Sequence, residues 1–445
     1  MPDRLLIIGG NAGGMTAATW ARRQSPSVEI TVVERTLDIA YSECGMPYVF
    51  SGQIASLENL VRYQPQELAK KYQIKVLNQN IVELLNVSSQ FAEVQNLSNQ
   101  KLKINFDYLI LATGAKANRP NIEGLNLAGV FTLRHMPEAR KIDEYLKTTN
   151  PRRAVILGAG YVGLEMAEAL RMRGIEVTVI EQSQKLLGYF DGELKTQIVN
   201  ELTNQKVKLI LGETLHGIVG RQRVEHVITS SGIINTDLVI IAVGISPEVS
   251  LAHASNIRLG ASGAIAVKDT LQTNFPNVYA AGDCAEANHI VLDKPYYLPL
   301  GTTANKQGRI AGINAVGGQA RFAGIVGTQA VKIFNLEIAT TGLSFDEANK
   351  MGFWAKAISS RSVSRAGYYP GAERIDTTLI YDERTGKLLG GQMLGHEGVA
   401  KRIDVTATAL YGRMKIEDLL QLDLSYAPPF APVWDPILYT VRNMK

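Results

Sequence analysis

Short apolar runs that end in glycine are the clearest pattern along the chain. Two of them are followed by the same order of segments. Residues 5–8 are followed by glycines, an Ala-rich segment and a second apolar run that ends near Glu34. Residues 154–157 repeat this order, and the second apolar run there ends at Glu181. A buried strand, a glycine turn, a helix and another strand make a βαβ unit. The pattern therefore predicts two nucleotide-binding domains.

Two further apolar strands frame the second unit. Residues 106–111 lead into Ala112, Thr113 and Gly114, and residues 238–242 lead into Gly244. Because both strands run into similar turns, we predict that the chain leaves the first domain near 114 and returns to it near 245. The first domain should then comprise 1–114 and 245–325, with the second domain, 115–244, inserted into it.

From about residue 326 the pattern changes to strands joined by turns, such as 377–381 and 388–393, with a helix near 399–411. This predicts an α+β third domain over 326–445. The segment 426–436 is rich in proline and unsuited to a helix or a central strand. We expect it to pack against something, for example a second subunit. The fold class is therefore α/β, with two Rossmann-like domains and a C-terminal α+β domain.

Composition narrows the class of partner. The 445 residues are 46% hydrophobic, and 46 Lys and Arg face 42 Asp and Glu without a dense basic run, which argues against nucleic-acid binding. No apolar stretch approaches the ~18 residues of a membrane span. Cys44 and Cys284 are the only cysteines, which excludes a disulfide framework. We expect a cytoplasmic protein that contacts neither membrane nor nucleic acid.

The second glycine turn has the regular spacing Gly158, Gly160, Gly163. Its glycines allow a tight turn and a close approach to a pyrophosphate, which the N-terminus of the helix predicted to begin at Leu164 stabilises. Glu181, about 20 residues further on, is placed to accept from a ribose 2′-hydroxyl. A carboxylate there repels a 2′-phosphate, so NADH is favoured over NADPH, while Lys185 keeps NADPH as the alternative.

The first glycine turn is less regular. It keeps Gly9, Gly13 and Gly14, but Asn11 stands where the third motif position expects glycine. Glu34 again follows about 20 residues later. A third element, the short strand that begins at 277 and ends in Gly282-Asp283, strengthens the case for a second dinucleotide.

These three elements together resemble the pyridine nucleotide-disulfide oxidoreductases, whose FAD domain is discontinuous. The resemblance implies FAD in the first domain and NADH in the inserted one, with Asp283 on the ribityl chain, Glu34 on the adenosine ribose, and Thr302 and Thr303 capping a helix 304–315 at the flavin. The implied FAD residues are Gly9, Asn11, Ala12, Gly13, Gly14, Glu34, Arg35, Ser42, Ala112, Thr113, Gly114, Gly282, Asp283, Thr302, Thr303 and Ala304. The implied NAD(P)H residues are Gly158, Gly160, Tyr161, Gly163, Glu165, Glu181 and Gly244.

Cys44 lies shortly after Glu34, where glutathione reductase-type enzymes carry a Cys-x4-Cys pair. Val49 occupies the second position, so an internal redox disulfide cannot form there. Pro47 suits a first helical turn, and a helix N-terminus behind Cys44 is expected to lower its thiol pKa. The segment resembles the single-cysteine branch of the family, whereas Cys284 is interpreted as a packing residue.

Within that branch, oxidases and peroxidases carry a histidine in the first turn, where this chain has Ala12. Residues 298–309 and the tyrosines near the C-terminus instead resemble the coenzyme A disulfide reductases. There a tyrosine faces the neighbouring subunit's cysteine, which implies a homodimer with a shared site and roles for Tyr426 and for Tyr368 or Tyr369. A tyrosine hydroxyl in that place can protonate a departing thiolate.

The resulting hypothesis is an NAD(P)H:disulfide oxidoreductase. By the resemblance, Tyr161 swings from over the flavin, Glu165 lies near the nicotinamide, hydride passes to FAD, and a mixed disulfide between Cys44 and coenzyme A is cleaved. Arg22 and Arg23 are candidates for the coenzyme A phosphates. Alternatives are an NADH oxidase or peroxidase with a Cys44 sulfenic acid, a persulfide or polysulfide reductase, and a redox sensor. The absence of a C-terminal rhodanese-like extension counts against the persulfide role.

Overall fold

The structure is a computed structural model that describes residues 3–188, 190 and 192–444. Up to the inserted region the strands and helices are β1 (Arg4–Ile8), α1 (Ala12–Gln24), β2 (Glu29–Val33), α2 (Met46–Phe50), α3 (Pro65–Tyr72), β3 (Ile74–Leu77), β4 (Asn80–Asn86), β5 (Phe91–Asn96), β6 (Lys101–Asn105), β7 (Tyr108–Leu111) and β8 (Ala115–Ala117). The inserted region has β9 (Val130–Thr132), α4 (Met136–Thr149), β10 (Arg153–Leu157), α5 (Tyr161–Met172), β11 (Glu176–Glu181), α6 (Gly192–Asn204), β12 (Val207–Leu211), β13 (Leu215–Val219), β14 (His226–Thr229), β15 (Gly232–Asn235), β16 (Leu238–Ile241) and β17 (Ile245–Pro247).

The rest of the chain forms α7 (Ser250–Ala254), β18 (Val278–Ala280), β19 (Ala287–His289), β20 (Lys294–Tyr296), α8 (Gly301–Ala315), β21 (Gln329–Ile333), β22 (Leu336–Gly342), α9 (Phe345–Lys350), β23 (Ala355–Val363), β24 (Arg374–Asp382), β25 (Leu388–Gly395), α10 (Val399–Tyr411) and α11 (Pro436–Arg442). Three 3₁₀ turns cover Glu43–Gly45, Leu57–Leu60 and Glu417–Gln421.

Two parallel sheets of five strands dominate the molecule. The first has the order β18-β7-β1-β2-β3 and the second the order β12-β11-β10-β16-β9. In each sheet the strand before the glycine turn, β1 or β10, is central and pairs in parallel with two neighbours. The predicted α/β class with two Rossmann-like domains is confirmed.

The first sheet takes strands from both sides of the inserted region, because β18 pairs with β7. The two crossings between the domains, β8 and β17, form an antiparallel pair of their own. An antiparallel meander, β4-β5-β6, extends from the first domain, and another, β13-β14-β15, extends from the second.

Strand β1 shows why this sheet is covered on both faces. Leu5 and Ile7 belong to the core beneath α1 and α8, whereas Leu6 and Ile8 pack with Val82 of the meander and its neighbours. Side chains alternate along a strand, so a run of four apolar residues needs cover on both sides.

Two predicted helix starts were wrong. The helix after the second turn begins at Tyr161 rather than at 164, and α8 begins at Gly301 rather than at 304. Ala304 N donates to the Leu300 carbonyl, so Thr302 and Thr303 lie inside the first turn and do not cap it. The hydroxyl residues adopt helical geometry there because first-turn N–H groups need no partner within the helix.

The C-terminal part is a five-stranded antiparallel sheet, β21-β22-β25-β24-β23, covered by α10 and α11. Helix α10 has the predicted bounds, since it covers Val399–Tyr411. Before α11, the proline-rich segment forms neither helix nor strand in the described chain. Among the described residues, no helix combines the length and apolar character that crossing a membrane requires.

Helices α1 and α8 pack closely because glycine stands at their contacts. A Cβ built at Gly308 would lie 2.2 Å from the Gly13 carbonyl oxygen, and one at Gly312 would lie 2.2 Å from that of Ala17. Both separations are far below van der Waals contact, and both involve backbone. The seam therefore fixes the start of α8 relative to the first glycine turn.

Gly312→Ala should destabilise the first domain by about 1–3 kcal/mol, because the added methyl group forces the two helices apart. Chemical denaturation followed by the fluorescence of released flavin measures the change. Gly301→Ala is the matched control on the same helix, since no atom lies within 4 Å of a Cβ built there. Equal stability of the two variants would contradict the close packing.

Candidate functional site

The two glycine turns have nearly the same geometry. Gly9 and Gly158 have φ of +109° and +104°, and Cβ atoms at these positions would lie 2.0 and 2.4 Å from the carbonyl oxygens of Ala112 and Ala242. Both φ values lie in the region that favours glycine. Each turn is thus pressed against the exit of the neighbouring strand, which brings the two nucleotide-binding segments of its domain together.

A glutamate at the end of the next strand accepts hydrogen bonds from the backbone of each turn. Glu34 Oε2 accepts from Gly10 N at 2.8 Å, and Glu181 Oε2 accepts from Ala159 N at 2.8 Å. The other oxygen of each carboxylate accepts a backbone N–H two residues further along, from Thr36 and Ser183. Both carboxylates therefore lie at the turns that sequence reasoning assigned to them.

A charged cluster links the first turn to the cysteine segment. Asn11 Nδ2 donates to Glu43 Oε1 at 3.0 Å, and Arg134 pairs with Glu43 Oε2 at 2.7 Å. The other end of the same guanidinium pairs with Asp283. His135 Nδ1 lies 3.7 Å from Glu43 Oε1. One arginine thus joins the residue before Cys44 to the Gly282-Asp283 turn.

Burial affects the two carboxylates of this cluster differently. Although burial acts to raise the pKa of Glu43, the nearby His135 ring and the charge of Arg134 hold it below its usual range. For Asp283, burial is the larger effect and raises the pKa, with Arg134 opposing it only in part. Glu43 is therefore the firmly ionised partner.

The chain's own residues fit FAD at this place. Arg134 Nε is buried and has no hydrogen-bond acceptor in the described chain, so it is a donor that an acceptor on the cofactor would satisfy. Helix α1 begins here with no side-chain cap on its first turn, which leaves its N–H groups free for a pyrophosphate. A Cβ at Gly14 would lie 1.9 Å from the Gly9 carbonyl oxygen, so the cradle admits only glycine.

Gln307 ties the turn at Asp283 to α8. It is fully buried, its Oε1 accepts from Gly282 N at 2.8 Å, and its Nε2 donates to the Glu286 carbonyl at 2.9 Å. Ala304 packs 3.4 Å from a Cβ built at Gly282. The predicted FAD residues of the two segments are therefore held side by side.

Cys44 lies in the 3₁₀ turn that precedes α2, and Pro47 stands in the first turn of that helix. The side chain reaches the surface, but the surrounding protein still desolvates the thiol. This desolvation, with the charges of Glu165 and Glu43, raises the pKa of Cys44. The expected lowering was wrong, because α2 has only five residues and nearby carboxylates oppose its effect.

Glu165 connects the thiol to the second domain. Helix α2 packs against α5, which carries Glu165, and Arg173 at the end of α5 donates to the Phe50 carbonyl. Burial raises the pKa of Glu165 to about 7, and the charge of Glu168 adds to the shift. Glu165 also raises the pKa of Tyr48 on α2. A carboxyl group that titrates near neutral pH therefore faces the cysteine segment.

The two arginines proposed for phosphate recognition differ. Arg22 donates to the backbone carbonyls of Pro26, Tyr72 and Gln73, so its guanidinium is already used within the fold. Arg23 is exposed and stacks on the Trp20 ring at 4.9 Å. Arg309 of α8 stacks on the same ring at 4.8 Å, which sequence reasoning did not find.

The remaining predicted FAD residues surround the first turn. Arg35 lies 3.0 Å from His135, Ser42 is exposed just before Cys44, and Thr113 donates to the Glu248 carbonyl at 2.6 Å. Gly114 has a positive φ of +72° at the domain crossing.

The tyrosines of the third domain form an exposed pair in the single chain. The hydroxyl groups of Tyr368 and Tyr426 lie 3.2 Å apart, and the side chains are 77% and 46% exposed. Tyr369 is less exposed and its N–H donates to the Ala366 carbonyl. Of the two adjacent tyrosines, Tyr368 is therefore the one whose hydroxyl group hydrogen bonds with that of Tyr426.

Sequence reasoning missed four residues that shape this site: Glu43, Tyr48, Arg134 and His135. Arg134 and His135 follow β9 in the inserted domain, far along the chain from Cys44. No motif marks them. Glu43 alone had a local signal, since a carboxylate beside a reactive cysteine affects its charge.

Glu165→Gln should make Cys44 more reactive above neutral pH. The Glu165 carboxylate, charged above about pH 7, raises the thiol pKa, and the neutral amide does not. Alkylation of Cys44 by iodoacetamide at pH 8 should accelerate roughly threefold. At pH 6 the difference should vanish, because Glu165 is then protonated. Glu176→Gln, exposed on the same domain, should leave both rates unchanged, and a pH-independent effect of Glu165→Gln would refute this electrostatic link.

Comparison with known proteins agrees with this architecture. A model of the pyridine nucleotide-disulphide oxidoreductases matches residues 3–308, and a model of the dimerisation domain of that group matches residues 328–436. The chain is 40% identical over 443 residues to an NAD(P)H sulfur oxidoreductase (CoA-dependent) of Pyrococcus abyssi, with 99% of this chain and 98% of that protein covered.

A coenzyme A disulfide reductase of Staphylococcus aureus is 30% identical, with 96% of each chain covered. The structure is similar to that of an NAD-dependent persulfide reductase from A. fulgidus, with a TM-score of 0.96, 34% identity, and 99% of this chain and 82% of that chain covered. The twin glycine turns, the single cysteine beside the first of them and the C-terminal antiparallel sheet thus have one explanation: this chain belongs to the pyridine nucleotide-disulphide oxidoreductase family, whose enzymes use FAD and NAD(P)H.

Proposed function

We propose that this enzyme reduces a disulfide of coenzyme A with NADH, through a mixed disulfide on Cys44. The observation that carries the proposal is a solvent-accessible thiol, without a partner cysteine, between the two nucleotide turns. Cys284 is fully buried and its Sγ lies 3.5 Å from the carbonyl oxygens of Leu111 and Ala281. It is a packing residue, so Cys44 needs an external thiol to form a disulfide.

In the first half of the reaction the Cys44 thiolate attacks one sulfur of the substrate disulfide. The new bond joins Cys44 to one coenzyme A, and the other coenzyme A leaves as a thiolate that takes up a proton. In the second half, the hydride equivalent of NADH cleaves the mixed disulfide, which restores the Cys44 thiolate and releases the second coenzyme A as a thiol. FAD, when bound, supplies the two-electron relay between the nicotinamide and the sulfur. The sum is one disulfide, NADH and a proton converted to two thiols and NAD⁺.

The tyrosine pair is the proposed proton source for the leaving thiolate. Both hydroxyls are exposed, and they lie in the dimerisation domain with Phe430 and Val433 exposed at 77% and 66%. An exposed apolar surface of this kind is typical of a subunit interface. We propose that Tyr368 and Tyr426 face the Cys44 of a second copy, so that two subunits complete each site.

Coenzyme A recognition is proposed for the surface formed by Trp20, Arg23 and Arg309. An indole ring with a guanidinium stacked on it from each of two helices holds two cations close together. Arg binds phosphate oxygens in a bidentate manner. Arg22, which is used by backbone carbonyls, is left out of the proposal.

NADH is proposed as the preferred donor. Glu181 lies against the second turn with both oxygens hydrogen bonded to backbone N–H groups, which stabilises its negative charge. A fixed charge at this place disfavours the 2′-phosphate of NADPH.

A coenzyme A persulfide is the second candidate substrate. The P. abyssi relative is named a CoA-dependent sulfur oxidoreductase, and 98% of it is covered by this chain. The likeness extends over nearly the whole of both chains, which supports this second role. Attack of the Cys44 thiolate on the coenzyme A sulfur of the persulfide would break its S–S bond, release hydrosulfide and form the same mixed disulfide.

Cys44→Ser should abolish NADH-dependent reduction of coenzyme A disulfide while leaving FAD bound, because serine cannot form the mixed disulfide. Steady-state rates and flavin absorbance measure the two properties. Intact mass spectrometry of the unreduced wild-type protein should show a coenzyme A adduct on Cys44. Full activity of the serine variant would overturn the proposal, and a sulfenic acid in place of the adduct would favour an NADH oxidase or peroxidase.

Arg23→Gln combined with Arg309→Gln should raise the KM for coenzyme A disulfide roughly tenfold or more, since hydrogen bonds to charged groups are lost. The KM for NADH and the rate with pantethine, a disulfide without the nucleotide, should stay unchanged. Arg321→Gln, which removes an exposed arginine paired with Asp269, is the control. An equal loss of activity with pantethine would show that this surface does not recognise the nucleotide part of coenzyme A.

A further inference from the structure

Asn11 stands where the motif of the first turn expects glycine. Its side chain does not cap the following helix, as its position would suggest. Asparagine at the residue before a helix usually accepts a hydrogen bond from the first turn. Asn11 holds that position before α1, yet its side chain makes no capping hydrogen bond. The N–H groups of α1 therefore remain free, and the Asn11 amide is directed elsewhere.

The Asn11 side chain binds the chain at two places just before Cys44. Its Nδ2 donates to Glu43 Oε1 at 3.0 Å, and its Oδ1 accepts from Tyr41 N at 3.1 Å. Glycine or alanine in this place would leave both groups without that partner. The two hydrogen bonds therefore link the first glycine turn to the segment that immediately precedes the thiol.

We propose that Asn11 is a positioning residue, which fixes the Glu43 carboxylate in its pair with Arg134 and so keeps the charge beside the Cys44 thiol compensated. This role rests on Cys44 being the reactive thiol of the proposed function. Arg134, from the inserted domain, is itself anchored by Asp283 of the first domain, so the Glu43 carboxylate has one fixed cation to face. Without Asn11, Glu43 keeps that cation but loses the donor that sets its orientation.

Several charged groups surround the thiol, and the effect of Asn11 must be separated from theirs. Glu165 faces it from α5, Glu43 from its own turn and Asp283 from the Gly282 turn, and each raises the pKa of Cys44, whereas Arg134 lowers it. His135 Nδ1 lies 3.7 Å from Glu43 Oε1. Of these groups Asn11 contacts Glu43 alone, so its influence on the thiol should pass through that carboxylate.

The test is the pH profile of Cys44 alkylation in the FAD-bound enzyme. Asn11→Ala should raise the thiol pKa and slow alkylation at neutral pH about threefold, because Glu43 is freed toward the thiol. Asn11→Gly, which restores the residue that the motif expects, should have the same effect. Flavin absorbance reports FAD occupancy for each variant, and Cys44→Ser supplies the background rate.

A double-mutant cycle with Glu43→Gln identifies the route. In that background there is no charge to orient, so Asn11→Ala should change nothing further. An alanine variant that alkylates like the wild type would overturn the proposal, and so would an effect that persists in full beside Glu43→Gln. The thiol titration needs no turnover, so its outcome is independent of whether coenzyme A disulfide is the substrate.

Discussion

The guanidinium of Arg134 is the interaction on which the rest of the site depends. It comes from the segment after β9 in the inserted domain, pairs with Glu43 beside Cys44, and pairs with Asp283 at the end of β18. Three segments distant in sequence thus converge on one buried cation. Breaking such an arrangement leaves charges without compensation in a poorly solvated place, which costs several kcal/mol. The cation therefore fixes the thiol relative to the FAD turn.

A second connection links the thiol to the inserted domain. Helix α2 packs on α5, and Glu165 of α5 has a pKa raised to about 7. Because the charge of Glu165 changes near neutral pH, the electrostatic surroundings of Cys44 change with it. Glu165 raises the pKa of Cys44, whereas Arg134 lowers it. The charge of Arg134 is compensated by its acidic partners, and the charge of Glu165 depends on pH. The reactivity of the single cysteine is therefore governed from both domains.

How much of this could be read from the sequence depends on whether a feature is local. The glycine turns were predicted because Gly9 and Gly158 need a positive φ that few other residues adopt. The start of α8 was misplaced because Thr302 and Thr303 serve equally as caps or as first-turn residues. The thiol pKa had the wrong sign because Glu165 is brought to Cys44 by domain packing, which no spacing reveals. Arg134 had no signal for the same reason.

Asn11 shows how a departure from a motif can carry information that the motif does not. A glycine at the third position serves close approach to the pyrophosphate, and Asn11 keeps that approach open because its backbone is in an ordinary extended conformation and its side chain leaves the helix N-terminus uncapped. The side chain is then available to the cysteine segment. The proposed role makes the first glycine turn a structural support for the segment that carries Cys44, to which the Asn11 side chain is hydrogen bonded.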